Sequence, residues 1–245
     1  MPTRSPLLPV LVGAAVLVLV NGAGPWSYTT ANALDNAMQL AAGTTAVVAG
    51  VVGGLRHEGS QRTWRLLIAA GMAAWTGGLT IWSWNQIVDG DGLPSPSLAD
   101  AGFLAYPVFG LAAMYVLGRA AARNAPPVDA QHARHGYRAI ELVLDGLIVT
   151  ASLFFLSWSG ALGTIVAAGA PDRATLVVAL AYPLTDLVMI VVAVLMVVFG
   201  RIQEADRAGF QFLIAGVIAL ALSDSVYAYL ISVDAATMKP WQNAG

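Results

Sequence analysis

Cysteine is absent from this chain of 245 residues, which excludes disulfides, thiolate metal sites and cysteine nucleophiles. Charge is scarce as well: Asp, Glu, Lys and Arg make up 11% of the residues, against about 25% in a typical soluble domain. Apolar residues make up 58%, and the mean hydropathy is +0.70. The formal net charge of -2 provides no basic surface for nucleic acid. We therefore expect an all-α membrane protein whose partner is the lipid bilayer.

Lysine and histidine are missing from the apolar stretches. The single lysine, Lys239, follows the last of them, which excludes a retinal Schiff base within a span. The three histidines, His57, His132 and His135, lie in polar connecting segments, so they cannot ligate haem or copper inside the bilayer. We expect no cofactor, no metal site and no enzyme active site in this chain.

Seven stretches are long and apolar enough to cross a bilayer, which takes about 20 residues of helix. The predicted spans are residues 7–24, 37–55, 65–88, 101–121, 139–160, 174–200 and 208–232. The segments between them are polar or rich in glycine and proline, as loops are. The pattern predicts a polytopic transmembrane helical bundle in one domain, residues 1–245, without a soluble catalytic domain.

The basic residues predict the orientation, because positive charge concentrates in cytoplasmic loops. With a cytoplasmic amino terminus, ten of the twelve Lys and Arg residues fall inside: Arg4, Arg56, Arg62, Arg65, Arg119, Arg123, Arg134, Arg138, Arg201 and Arg207. We therefore predict a multi-pass protein of the cytoplasmic (inner) membrane, amino terminus inside. The first stretch also has features of a cleaved signal peptide, and both readings stay open.

Short strings recur along the chain. LAYP occurs at 104–107 and at 180–183, and IWSW at 81–84 is similar to FLSW at 155–158. The offsets predict a helical hairpin repeated about every 75 residues. An unpaired seventh span that ends outside then predicts a missing eighth helix, and hence a fragment or a truncated form.

Two acidic residues, Asp186 and Asp224, lie deep within predicted spans, where charge costs roughly 2.5 to 3.5 kcal/mol. Asp186 follows Pro183, and both Pro183 and Pro107 kink their helices because proline lacks an N–H donor. The pair predicts either a ligand or proton site at a helix break or hydrogen bonds that lock the bundle.

Aromatic residues favour the predicted outer side, whereas an ordinary aromatic belt populates both interfaces. The asymmetry predicts an aromatic-lined pocket that opens outward near the two acids. The candidate lining residues are Trp82, Tyr106, Trp158, Tyr182 and Tyr227.

Four strings carry a resemblance to a known family: PSLADAGFLAYP (96–107), LDGLIVTASLFFLSW (144–158), AYPLTDLVMIVVAVLM (181–196) and LALSDSVYAYL (220–230). They resemble the amino-terminal membrane region of actinobacterial GGDEF and GGDEF–EAL cyclic di-GMP signalling proteins. The resemblance covers residues 60–240. It implies a sensory or anchoring module, with a further helix and a cytoplasmic GGDEF output domain in cis that this chain lacks, and it assigns no ligand chemistry. Output domains in such a module are expected to act as a homodimer.

The same residues are also compatible with two other functions. A small-solute or ion transporter would also place its site at kinked helices near mid-membrane. A membrane assembly subunit would need no ligand.

Overall fold

The structure is a computed structural model that describes residues 27–89, 95–124, 135–198 and 207–232, together with 12–13, 16–17 and 19–20. In these ranges the chain is helical and contains no strand, which confirms the predicted all-α class there. The helices are α1 (Tyr28–Leu55), α2 (Gly59–Trp84), α3 (Leu98–Asn124), α4 (His135–Ser157), α5 (Gly163–Ala168), α6 (Arg173–Val198) and α7 (Arg207–Ser232). The side chain of Ser27 caps α1 by accepting a hydrogen bond from the amide of Thr30 at 3.2 Å.

Five stretches are long and apolar enough to cross a membrane: Thr29–Leu55, Gly59–Ile87, Leu98–Arg123, Leu144–Ala168 and Arg173–Val197. They coincide with five of the seven predicted spans. The predicted span 7–24 lies mostly outside the described residues. The predicted span 208–232 coincides with α7, whose described apolar stretch, Gly209–Asp224, is shorter than a full crossing. The structure therefore supports a polytopic helical membrane protein with five candidate spans.

The helices differ from the predicted spans mainly at their ends. The second predicted span begins at 37, but α1 begins at Tyr28 and includes a polar segment that we expected to be a loop. The third and fifth predicted spans end in single π-helical turns, Asn85–Asp89 after α2 and Trp158–Leu162 after α4. These turns follow or overlap the related strings IWSW and FLSW. The hairpin repeat and its missing eighth helix stay predictions.

Glycines set the packing of α1 against α2. A Cβ at Gly50 would lie 2.9 Å from the Cβ of Ala69, and a Cβ at Gly54 would lie 2.7 Å from Cδ2 of Leu66. A Cβ at Gly43 would collide with the hydroxyl of Thr76. Positions on α2 decrease as positions on α1 increase, so the two helices form an antiparallel hairpin joined by only three residues, 56–58.

The backbones of α2 and α3 approach each other more closely still. A Cβ at Gly102 would lie 2.6 Å from the carbonyl oxygen of Ala74 and 2.8 Å from Cα of Gly78. A Cβ at Gly78 would lie 2.7 Å from the carbonyl oxygen of Ala99. Small residues at such crossings allow the van der Waals contact that holds helices together in lipid. The pairing is again antiparallel, so Arg56 and the carboxyl-terminal end of α3 lie at the same end of the bundle.

Helix α6 runs parallel to α3 and packs along it. Tyr182 contacts Asp100 near one end, and a Cβ at Gly110 would lie 2.7 Å from Cε of Met189 further along. The buried core between α2, α3, α6 and α7 includes Trp64, Tyr106, Ala113, Met114, Leu117, Met189, Ala193, Met196, Phe210 and Val217. This core surrounds the middle of α6, where Asp186 lies.

Gly102→Ala should destabilise the bundle, because its new methyl group meets main-chain atoms of Ala74 and Gly78 that cannot rotate away. Overpacking of this kind costs about 1–3 kcal/mol. We expect a lower midpoint of thermal unfolding in detergent, measured by circular dichroism. Gly77→Ala is the matched control, since a Cβ at Gly77 has no neighbour within 4 Å. Equal midpoints for the two variants would contradict the close α2–α3 contact.

Candidate functional site

The structure brings Asp186 of α6 and Asp224 of α7 together. Asp186 is only 6% exposed, and Asp224 is half-buried. Their carboxyl groups approach closely enough to interact through charge and hydrogen bonding. In the described part of the chain, Oδ2 of Asp186 is buried and has no hydrogen-bond partner. We call this pair the carboxyl pair.

Tyr106 of α3 is the third polar side chain at the carboxyl pair. It is 7% exposed and lies within electrostatic reach of Asp186. Its position depends on Gly71 of α2, where a Cβ would lie 3.2 Å from Cδ2 of Tyr106. The close contact between α2 and α3 therefore leaves Tyr106 on the side of α6. One of the predicted lining residues, Tyr106, thus lies beside the predicted acid Asp186.

The stretches of α6 and α7 that carry the two acids lack basic residues. The sequence contains no Lys or Arg between Arg173 and Arg201, or between Arg207 and Lys239. Two carboxyl groups in contact cannot both ionise in an apolar interior without a cation between them, because like charges at short range repel strongly there. We therefore expect the carboxyl pair to hold a proton or a bound cation.

Prolines lie inside both helices that flank the pair, Pro107 in α3 and Pro183 in α6. Each removes the main-chain donor that would serve the carbonyl four residues earlier. Next to Pro183, the hydroxyl of Thr185 donates to the carbonyls of Ala181 at 2.8 Å and Tyr182 at 2.9 Å. Asp186 is thus one residue beyond a locally rearranged segment of α6.

Tyr182 forms a different contact from the one expected. Its hydroxyl donates to Oδ1 of Asp100 at 2.6 Å and so joins α6 to the start of α3. Oδ2 of Asp100 accepts two hydrogen bonds from Ser97, one from its amide at 2.6 Å and one from its hydroxyl at 3.0 Å. In the other direction, the Ser97 hydroxyl accepts a hydrogen bond from the amide of Asp100 at 3.4 Å. This is a capping box. Tyr182 therefore has a structural contact here.

A second link ties the same two helices just beyond their ends. Thr175 donates its hydroxyl to the carbonyl of Ser95 at 2.7 Å and to Oδ2 of Asp172 at 2.9 Å. Asp172 caps α6 by accepting from the amides of Thr175 and Ala174. Hydrogen bonds from the amide and then the hydroxyl of Thr175 lower the pKa of Asp172. The α3–α6 pair is thus fastened at this end.

The remaining predicted pocket residues are distributed differently. Trp158 begins a π turn, is 48% exposed and stacks on Phe154 at a ring distance of 6.1 Å. Trp82 is half-buried near the end of α2. The side chain of Tyr227 lies outside the described residues. The outward aromatic pocket therefore stays a prediction, and Trp158 lies on an exposed face.

A polar network between α1 and α2 was missed at the sequence level. Asn36, 2% exposed, donates its Nδ2 to Oε1 of Gln86 at 3.2 Å and accepts from the Ser83 hydroxyl at 3.1 Å. On the same helix, Gln39 donates to Asp35 at 2.8 Å. The signal was available, because Asn32, Asp35, Asn36 and Gln39 follow the i, i+3, i+4, i+7 spacing of one helix face. The predicted second span begins at residue 37, so Asn32, Asp35 and Asn36 were expected in a loop and only Gln39 within the span.

In the described part of the chain, no group of three His, Asp or Glu side chains could hold a metal ion. The arrangement that remains is a pair of carboxyl groups with one tyrosine, beside two helices that each contain a proline. Uptake or release of one proton or cation would change the charge of this pair.

Tyr182→Phe should loosen α6 from α3, since it removes the 2.6 Å bond to Asp100 but keeps the ring. A hydrogen bond to a charged group contributes about 1.5–3 kcal/mol. We expect a lower midpoint of thermal unfolding. The control is Tyr115→Phe, at a tyrosine that is 63% exposed. A midpoint for Tyr182→Phe as high as that of the control would show that the bond contributes nothing.

Comparisons of this chain with protein-family models, with curated proteins and with solved structures find no match.

Proposed function

We propose that this chain is the membrane sensing and anchoring module of a bacterial cyclic di-GMP signalling protein. It would relay an extracytoplasmic or in-membrane signal to a cytoplasmic GGDEF-type output domain in cis. The resemblance of four strings supports the family, and the five apolar helices support the membrane location. The single observation that carries a sensory role is the contact between the buried carboxyl group of Asp186, on a helix that contains Pro183, and the half-buried carboxyl group of Asp224.

The proposal includes a topology. The amino terminus lies in the cytoplasm, seven spans cross the cytoplasmic membrane, and an eighth helix completes a set of repeated hairpins before the output domain. Such output domains act in pairs, so the module works as a homodimer. The related strings at both π turns and at both prolines support the repeat.

A change in occupancy of the carboxyl pair supplies the physical step. Loss of the proton or cation leaves two like charges in contact in an apolar core, which disfavours the packing that holds α6 against α7. The signal then shifts the equilibrium between two packings by its differential affinity for them. Kinks at Pro107 and Pro183 are the segments that move most easily, because each lacks one main-chain hydrogen bond.

Asp186→Asn and Asp224→Asn each keep the side-chain volume but remove an ionisable carboxyl group. Each variant should therefore hold the helices in one of the two packings. The measurement is the cellular level of cyclic di-GMP in a host that lacks its own diguanylate cyclases. We expect each variant to change this level at least about fivefold relative to the wild type, because allosteric coupling typically starts at about that factor. The full reading frame that includes this chain is expressed, and membrane fractions are checked for equal protein.

Asp172→Asn is the matched control, because Asp172 is exposed and asparagine caps helices as well as aspartate does. If both core variants give the wild-type level, the relay role of the carboxyl pair is wrong. If the wild-type reading frame itself leaves cyclic di-GMP unchanged from the empty vector, the proposed output is wrong.

An ion transporter is the second candidate, and one observation favours it. Among the described residues, Oδ2 of Asp186 has no hydrogen-bond partner, and it lies in the middle of a proline-containing apolar helix. Coupling ions in transporters bind at interrupted helices of this kind. A third candidate, a membrane assembly subunit without a ligand, has no such observation.

Proton flux into pyranine-loaded proteoliposomes under an imposed potential separates the first two candidates. A transporter should exceed empty vesicles and lose at least about tenfold of its flux in Asp186→Asn, because asparagine cannot take up and release a proton as a relay carboxyl group does. A sensor should match empty vesicles, as should its variants. Flux that persists in Asp186→Asn but vanishes in Asp172→Asn would contradict a role for the carboxyl pair in either function.

A further inference from the structure

A groove runs between α3 and α6 at the end of the bundle away from Asp100 and Tyr182. Its volume is about 410 Å³. The floor consists of the apolar side chains of Leu111, Met114, Val192 and Met196, and Tyr115, Gly118 and Arg119 lie along its α3 side. From residue 111 to residue 119, α3 rises about 12 Å, at 1.5 Å per residue. The groove is therefore long, narrow and apolar, with one charged end.

The charge at that end is Arg119. Its Nη1 donates to the hydroxyl of Tyr115 at 3.1 Å, and its guanidinium lies 5.7 Å from the centroid of the Tyr115 ring. In the part of the chain that the structure describes, no carboxylate pairs with Arg119. Arg123 follows one helical turn later and is also exposed. Two cations thus lie at the mouth of an apolar groove, and Tyr115 orients the nearer one.

Because no carboxylate among the described residues neutralises Arg119, an anion at this end of the groove would be a favourable partner. The fork of N–H donors in arginine matches phosphate oxygens. Basic pockets between transmembrane helices bind the headgroups of anionic lipids. A free phosphate would leave the apolar floor uncovered, whereas a phospholipid supplies both a phosphate and a chain of the right polarity.

We propose that this groove binds one anionic glycerophospholipid, with an acyl chain along Leu111, Met114, Val192 and Met196 and the phosphate on Arg119. The site is separate from the carboxyl pair and does not rest on the proposed signalling function. Gly118 has a specific part in it: a Cβ there has no neighbour within 4 Å, so this glycine leaves open the space that the chain fills.

The test is native mass spectrometry of the full chain in detergent, titrated with phosphatidylglycerol or with phosphatidylcholine of identical acyl chains. We expect the first lipid bound to be phosphatidylglycerol by preference. Arg119→Gln should weaken phosphatidylglycerol binding about fivefold, the effect of one cation near an anionic headgroup. Arg119→Lys should keep most of the preference. Arg56→Gln, an exposed arginine at the same end of the bundle, should leave it unchanged.

The acyl chain is tested separately by filling the groove. Gly118→Leu should weaken the binding of both lipids, and Gly77→Leu should not, although both glycines have open space around them. Added glycerol phosphate should not displace the lipid. Equal effects of Arg119→Gln and Arg56→Gln, or of Gly118→Leu and Gly77→Leu, would overturn the proposal, as would full displacement by glycerol phosphate. Arg119→Gln keeps the test decisive if Gly118→Leu does not fold.

Discussion

Close contact between the backbones of α2 and α3 at Gly78 and Gly102 is the constraint on which the rest of the bundle depends. Lipid tails are as apolar as leucine, so helices in a bilayer associate through close packing and polar contacts and not through the hydrophobic effect. This crossing also fixes the rotation of α3. That rotation presses Tyr106 toward α6 and directs Asp100 toward Tyr182.

Polar side chains in this bundle fall into two physical groups. One group is paired: Asn36 bonds to Ser83 and Gln86, and Tyr182 bonds to Asp100. Such contacts stabilise a single packing and need no ligand. The carboxyl pair is different, because it brings two ionisable groups together. A buried oxygen of Asp186 also lacks a partner among the described residues, as does the hydroxyl of Thr76. An unsatisfied buried carboxyl oxygen costs free energy, and that cost is the reason to assign it a function.

Apolar length was enough to predict the five candidate spans, and Pro107 and Pro183 lie inside helices as expected. The partners of individual side chains were harder to predict. The sequence of a helix that is apolar on every face does not show which face packs against which neighbour. Tyr182 was grouped with Asp186, yet it bonds to Asp100 on a helix that only the tertiary fold brings near. Trp158 was placed in a pocket but is about half exposed. Asn36 was missed because polarity at a span end resembles a loop, although its spacing is helical.

The interhelical hydrogen bonds, the two prolines and the groove all occur in the parallel helix pair α3 and α6. Hydrogen bonds from Tyr182 and Thr175 fasten it at one end, and the groove beside Arg119 leaves it open at the other. Both prolines lie between the fastened end and the open end. If either helix bends at its proline, the end that carries the groove therefore moves more than the end that is held by hydrogen bonds. Asp186 lies three residues past Pro183, so under the proposed function a change in the charge of the carboxyl pair would act close to the point where α6 bends most easily.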